Sequence, residues 1–261
     1  MEIKDIKFHS DSVYLLKTCE VTLDKFEETV EKFDYDTIYA KYKKYKDEFG
    51  VEKVKFPHIN FAFYKYLFER DVVPSPEEIL VLYFDLYKQH FKVIEEQDIV
   101  YYKNKKYSLK ALKARVLRTY PSLIRDFHFY LMLKEENIFD KVTYSCADDI
   151  NGKDITVIYK DEKYIVSLYT NTRRAQEFKK IKNEFRHKYG KNEIKIPLDF
   201  DNAYDCGTIK LYPQKDVEYV KETILNKEPE STVVKFLKKL WQSIKNRIFK
   251  IWAIMIYLSV E

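Results

Sequence analysis

The sequence predicts an α+β/α/β chain in three parts. A mostly helical N-terminal region covers residues 1–119, an α/β domain with a mixed sheet flanked by helices covers 120–228, and an amphipathic C-terminal helix covers 229–261. Three observations carry this. Before residue 120, apolar residues recur three and four apart in long runs, the spacing of a helix face. After it, the apolar runs shorten and turn β-branched and aromatic, as strands do. From Ser231 onward helical spacing returns, with lysines on the opposite face. The chain has 261 residues, 46% of them hydrophobic and 16% aromatic, enough for one large domain or two small ones with a packed core.

The N-terminal elements follow in order. Residues 3–18, with "IKFHS" and "VYLLK" around "SDS", read as two short strands. "TLDKFEETVEKF" reads as a helix capped by Thr22, with acids in its first turn where they complement the helix dipole. "YAKYKKYKDEFG" continues as a polar, aromatic-studded helix stopped by Gly50, and "FPHINFAFYKYLFER" is helical too. "SPEEILVLYFDLYKQHF" has the clearest start: Ser75 caps it, Pro76 takes the first position and Glu78 completes a capping box. "SLKALKARVLRTY" begins at Ser108, with Leu109, Leu112, Val116 and Leu117 near helical spacing. "PSLIRDFHFYLMLKEEN" starts a further helix at Pro121, whose Leu123, Ile124, Phe127, Tyr130, Leu131 and Leu133 bury most of its surface.

In the α/β part, "VTYS", "DITVIY", "KYIVSLYT", "EIKIPLDF" and "TIKLYP" predict strands, and the turn "YKDEKY" joins two of them as a hairpin. "RRAQEFKKIKNEFRHKYG" predicts a helix ended by Gly190. A hairpin followed by a helix that returns to a strand makes a mixed sheet with helices packed against it.

Charge is unevenly spread. Tyr101–Tyr120, Arg173–Lys195 and Ser231–Lys250 carry +7, +6 and +6, so at a total of +5 the rest of the chain is left with −14. Such segregation suits a polyanion-facing surface on an acidic body; solvated helix faces are the plainer reading. With four glycines the chain has no glycine-rich phosphate loop, and no GxSxG elbow is present. Cys19, Cys146 and Cys206 lie far apart, which speaks against a zinc site or a disulfide framework and for reduced thiols in a cytoplasm. The charged N-terminus lacks the apolar stretch of a signal peptide. The five histidines are scattered, with none four residues from another or from a cysteine.

The order helix, three strands, helix, strand, with Asp154 opening the second strand and Ser167 mid-way along the third, resembles the PD-(D/E)xK nuclease superfamily over residues 120–213. The resemblance implies a restriction-endonuclease-like sheet and metal-dependent hydrolysis of phosphodiesters, with Mg²⁺ or Mn²⁺ as cofactor if the site is active and none otherwise. In that reading Asp154 binds the metal, with Asp126 from the preceding helix or Asp149 from the loop as a second acid. The chain departs from the pattern on the third strand, where Ser167 and Tyr169 stand for the expected acid and lysine. Lys179 or Lys182 on the next helix would then orient the water, and Lys180 lies beside them. Arg173 and Arg174 at that helix start, with Lys110, Lys113, Arg115 and Arg118, would meet nucleic acid, DNA ahead of RNA. Each residue also has a plainer reading: Asp154 as a turn residue, Arg125 and Asp126 as a surface ion pair, Ser167 as a solvent-facing strand position, Thr170–Thr172 as a helix cap. The alternative function is a nuclease-like module that holds DNA or RNA without cutting. A mobile element or defence system is the setting that the superfamily's chemistry suits.

The tail "STVVKFLKKLWQSIKNRIFKIWAIMIYLSVE" sets Val233, Phe236, Leu240, Ile244 and Ile251 at helical spacing and ends apolar all round, in a run too short to span a bilayer. It predicts packing on the chain's own core, self-association or a protein partner, with an interfacial membrane helix as the other reading.

Overall fold

Local side-chain chemistry starts the helices. The computed structural model describes residues 20–46, 48–144, 154–170 and 192–227. Within them Thr22 caps α1 (Leu23–Glu31) and Asp34 caps α2 (Tyr35–Lys43), each side chain accepting a backbone N–H of the first turn. α3 spans Ile59–Arg70. At α4 (Pro76–Leu86) the expected capping box is present: Ser75 Oγ accepts from Glu78 N at 3.2 Å, and Glu78 Oε2 accepts from Ser75 N at 2.8 Å. Ser108 caps α5 (Leu109–Glu135), aided by Asp98, whose Oδ1 accepts from Lys110 N at 2.9 Å.

Three differences from the sequence reading have local causes. The helix expected to run to Gly50 ends at Lys43, and Gly50 lies inside a separate 3₁₀ turn, Glu48–Lys53, with φ 63°. The stretch after α4 folds as an antiparallel sheet, β1 (Phe91–Ile94), β2 (Ile99–Tyr102) and β3 (Lys105–Ser108), where no strand was expected. Pro121 does not start a helix but lies inside α5, which runs unbroken through residue 120. A proline there has no N–H for the carbonyl four residues back. That carbonyl, Leu117 O, instead accepts the Tyr35 hydroxyl at 3.1 Å.

The second sheet has the order β4 (Lys141–Thr143), β5 (Ile155–Tyr159), β6 (Glu162–Thr170), β7 (Glu193–Leu198). β4, β5 and β6 pair antiparallel, whereas β6 and β7 pair parallel. A parallel pair needs a crossover of roughly a dozen residues or more. The segment that makes it, 171–191, lies outside the described residues, together with the helix expected there. A short hairpin of β8 (Tyr204–Cys206) and β9 (Ile209–Leu211) leads to α6 (Gln214–Leu225). The strands read in 3–18 and the helix read from Ser231 onward also lie outside the described residues.

The chain divides into two compact units, 1–224 and 225–261. The first unit has one apolar core, in which α5 is central. Leu117, Tyr120, Ile124, Phe127 and Phe129 are fully buried in it. Each such side chain gains roughly 1.5–3 kcal/mol by leaving water. Buried backbone carbonyls need donors, and here aromatic and basic side chains supply them. In the stretch 51–58, from the end of the 3₁₀ turn to the start of α3, Arg115 Nη1 donates to Val51 O and Val54 O at 2.5 and 2.7 Å. Tyr102, Tyr83 and Tyr87 donate to Lys55 O, Pro57 O and His58 O.

Candidate functional site

The alternation of a strand divides the four-stranded sheet into two faces. Ile155, Val157, Val166, Leu168, Ile194, Ile196 and Leu198 share one face, buried in the core that also holds Phe127 of α5. Thr156, Ile165, Ser167, Glu193 and Lys195 share the other, because residues paired across the ladders point the same way.

Asp154 stands one residue before β5 and is half-buried. Its Oδ2 accepts the Leu168 N–H at 2.6 Å. The β5–β6 ladder ends at Ile155 paired with Val166, so this carboxylate takes up a further amide of β6 past the end of the ladder. Continuing the register by one step sets Asp154 across from Ser167.

Asp126 comes from α5 and is half-buried. It and Asp154 act on the same group, the phenol of Tyr212. Tyr212 is 1% exposed, its ring edge-on to Phe129 at 5.2 Å between centroids. Burial holds this phenol well above its ordinary pKa, the Asp126 and Asp154 charges push the same way, and Arg125 opposes them. The phenol therefore stays protonated. Arg125 donates Nε to Lys210 O at 2.7 Å and lies 5.4 Å from the Phe200 ring centroid. Burial lowers its pKa. It is built into the interior rather than into a surface pair. Asp216, in the first turn of α6, is raised by burial and then by Asp199, with Lys215 opposing.

Ser167 is 8% exposed, not solvent-facing, and its hydroxyl donates to Glu193 Oε1 at 3.0 Å. Glu193 Oε2 also pairs with Lys195 Nζ at 3.4 Å. Lys195 is the ladder partner of Ser167. Glu-x-Lys spacing is thus present, one strand over, in a segment that the sequence reading took only as a strand. Its signal was in view as "EIK". What linked it to Ser167 was the parallel register, which sequence spacing does not carry. Tyr212 and Asp216 were not singled out either, and they join the site only through the packing of α6 and β9.

Among the described residues no group of three or more His, Cys, Asp or Glu is arranged to hold a metal ion. A Mg²⁺-type site asks for less: one or two carboxylates, with waters and substrate phosphate completing the shell. Asp154 and Asp126 are hard oxygen donors of that kind, so the chemistry of the donor set fits such an ion, and the charge of each raises the pKa of the same buried phenol. Asp149, Lys179, Lys180, Lys182, Arg173 and Arg174 lie outside the described residues.

Of the basic residues expected to meet nucleic acid, Lys110 is exposed, with its ammonium 5.2 Å from the Tyr45 ring centroid. Lys113 is half-buried, 5.9 Å from the Tyr42 ring and 3.9 Å from Glu95. Arg115 and Arg118 serve the fold. Arg115 binds the two carbonyls of the 51–58 stretch, and Arg118 Nη2 donates to both Glu52 oxygens at 2.6 Å. Among the described residues no helix is long and apolar enough to cross a membrane. Comparison with protein-family models, curated proteins and solved structures gives no match.

Proposed function

We propose that the chain is a nuclease-like nucleic-acid protein with a restriction-endonuclease-like sheet, and a candidate divalent-metal-dependent DNA endonuclease. The observation that carries this is the position of Asp154 at the head of the sheet's second strand, its Oδ2 on the Leu168 amide of the third, together with Asp126 on the helix that precedes the sheet. The strand directions agree with it: three antiparallel strands, then a fourth parallel to the third. Asp154 and Asp126 would hold Mg²⁺ or Mn²⁺. When bound, such an ion lowers the pKa of a water and offsets charge building on the scissile phosphate. Lys179 or Lys182 would orient that water. Hydrolysis adds water across one P–O bond: the water oxygen bonds to phosphorus, and the sugar oxygen leaves and takes up a proton.

A second reading, binding without cutting, is favoured by one observation. The third strand offers Ser167 and Tyr169 in place of an acid and an amine, and one Asp154 oxygen is engaged by the Leu168 amide.

Plasmid DNA incubated with Mg²⁺ or Mn²⁺, with a chelator control, separates the two. Asp154→Asn is the informative variant because its amide oxygen still accepts from Leu168. Cutting in the wild type should fall by about a hundredfold or more in Asp154→Asn, with gel-shift affinity retained. Wild-type gel shift without cutting selects the second reading. Cutting undiminished in Asp154→Asn refutes the assigned site.

A further inference from the structure

We infer that the outward face of the β1–β2–β3 sheet binds single-stranded nucleic acid, with one base stacked on Tyr101 and the adjoining phosphates against Lys92, Lys103 and Lys106. This rests on the nucleic-acid part of the reading above, not on cutting, and it uses none of the residues assigned to hydrolysis.

The register decides which side chains meet. Phe91, Val100, Tyr102 and Tyr107 are buried in the core. Phe91 pairs with Tyr102 and Val100 with Tyr107, so all four belong to the inner face. Alternation puts Lys92, Tyr101 and Lys106 on the other face. Tyr101 pairs with Lys92 on one side and with Lys106 on the other, so the three form one row across the sheet. Both lysines are exposed and the tyrosine is half-buried. The ring is thus flanked by amines rooted on the two neighbouring strands, each about 4.8 Å away at the backbone.

Beside this row opens a pocket of about 360 Å³, whose lining includes His90, Lys92, Tyr101, Lys103 and Asn104. That is the small end of the range for ligand sites, with room for one nucleotide unit and not for a paired helix. Among the described residues no carboxylate lines it. The acids of this sheet stand at its other end, where Asp98 helps to cap α5 and Glu95 meets Lys113 at 3.9 Å. With no carboxylate beside them, the amines of the pocket attract phosphate. The Asn104 amide can both donate to and accept from a base edge. Lysines alone would suit any polyanion. The ring set among them is what favours an unpaired base, because a base inside a duplex has both π-faces covered by its neighbours.

A surface that is merely basic would share the lysines, so the test turns on the ring and on strandedness. The full chain is titrated against a labelled oligothymidylate of about twelve nucleotides, and against the same strand paired with its complement, by fluorescence anisotropy. Tyr101→Thr should weaken single-strand binding about tenfold and leave duplex binding within about twofold of wild type. Tyr101→Phe, which keeps the π-face, should stay within about twofold on both. Lys92→Gln with Lys103→Gln should shallow the single-strand salt slope by about 1.4 units, two phosphate contacts at about 0.7 each. If Tyr101→Thr binds the single strand as the wild type does, or loses strand and duplex alike, this inference falls and the nucleic-acid reading stands. A wild type that binds the duplex but not the single strand has the same consequence. Should Tyr101→Thr fail to fold, the two exposed lysines decide, and an unchanged single-strand slope overturns the inference. A wild type that binds neither probe removes both proposals.

Discussion

The imidazole of His128 is 1% exposed on α5, and its Nε2 lies 2.8 Å from Glu27 Oε1 of α1. Its other nitrogen, Nδ1, is buried without a hydrogen-bond partner. A second proton would have to go on Nδ1, where nothing accepts it, so the ring stays neutral with its proton on Nε2. Burial lowers its pKa, while the Glu27 hydrogen bond and charge work against that shift. Tyr204 stacks near the ring and also reaches Glu27, from β8. Cys206 donates to Glu27 O, and burial pushes its thiol up to about 11, so it is an inert core thiol. The sign of the pH effect follows from linkage. The unfolded chain binds a proton near pH 6.5 and the folded one does so only at lower pH. The stability from the neutral ring is therefore fully present above about pH 6.5 and is lost as pH falls through the folded value, at about 1.4 kcal/mol per unit of difference. Denaturant midpoints at pH 7.5 and 5.0 should separate more in the wild type than in His128→Gln, which keeps a donor for Glu27. Equal separations would sink this account.

At the scale of elements, tight turns show where sequence signals were weak. The β5–β6 hairpin turns through Lys160 at φ 49° and Asp161 at φ 63°, and the β2–β3 hairpin through Lys103 at φ 50° and Asn104 at φ 62°. Two successive positive φ values match the right-handed twist of the strands, and Asn-Gly adopts them most readily. Lysine there is held left-handed against its steric preference. The Lys160 N–H donates to Asp140 Oδ2 at 2.6 Å, a backbone bond that substitution keeps. Replacing Lys160–Asp161 with Asn-Gly should raise stability by about 0.5–1 kcal/mol in thermal unfolding. A lowered midpoint would mean the present side chains contribute more than the strain costs. Gly207, at φ 56°, is required for a second reason, since a Cβ there would come within 2.7 Å of Glu31 O in α1. Contacts of this kind join segments far apart in the chain, and nothing local announces them.

For the whole molecule, the charge pattern sorts cations by what else they touch. The head of α5, the end of α2 and the β2–β3 hairpin expose Lys43, Lys44, Lys103, Lys105, Lys106 and Lys110. Lys44 and Lys110 both lie near the Tyr45 ring, at 5.0 and 5.2 Å from its centroid. Arg115 and Arg118, close by in sequence, are consumed by the fold. If the exposed lysines meet phosphates, log affinity for nucleic acid falls linearly with log salt, by about 0.7–0.9 per contact. Lys105→Gln with Lys106→Gln and Lys110→Gln should shallow that slope by about two units in a salt titration. Arg118→Gln should leave the slope alone and lower the melting temperature. An unchanged slope in the lysine variant would remove this surface from the binding account.

Sequence alone determined what depends on neighbours within a few residues. Thr22, Ser75 and Ser108 start helices because a hydroxyl two or three residues from a free amide needs no other partner. The strands "VTYS", "DITVIY", "KYIVSLYT", "EIKIPLDF" and "TIKLYP" are legible for the same reason, since alternation and β-branching are local. Only the tertiary structure decided what depends on register and crossing. It put a Tyr35 hydroxyl where Pro121 leaves a carbonyl open, tied Arg115 to the 51–58 stretch, and set Glu193 against Ser167. The physical reason is that a hydrogen bond is specified by position in space, and residues 26 to 82 apart in the chain reach one position only after the core has packed.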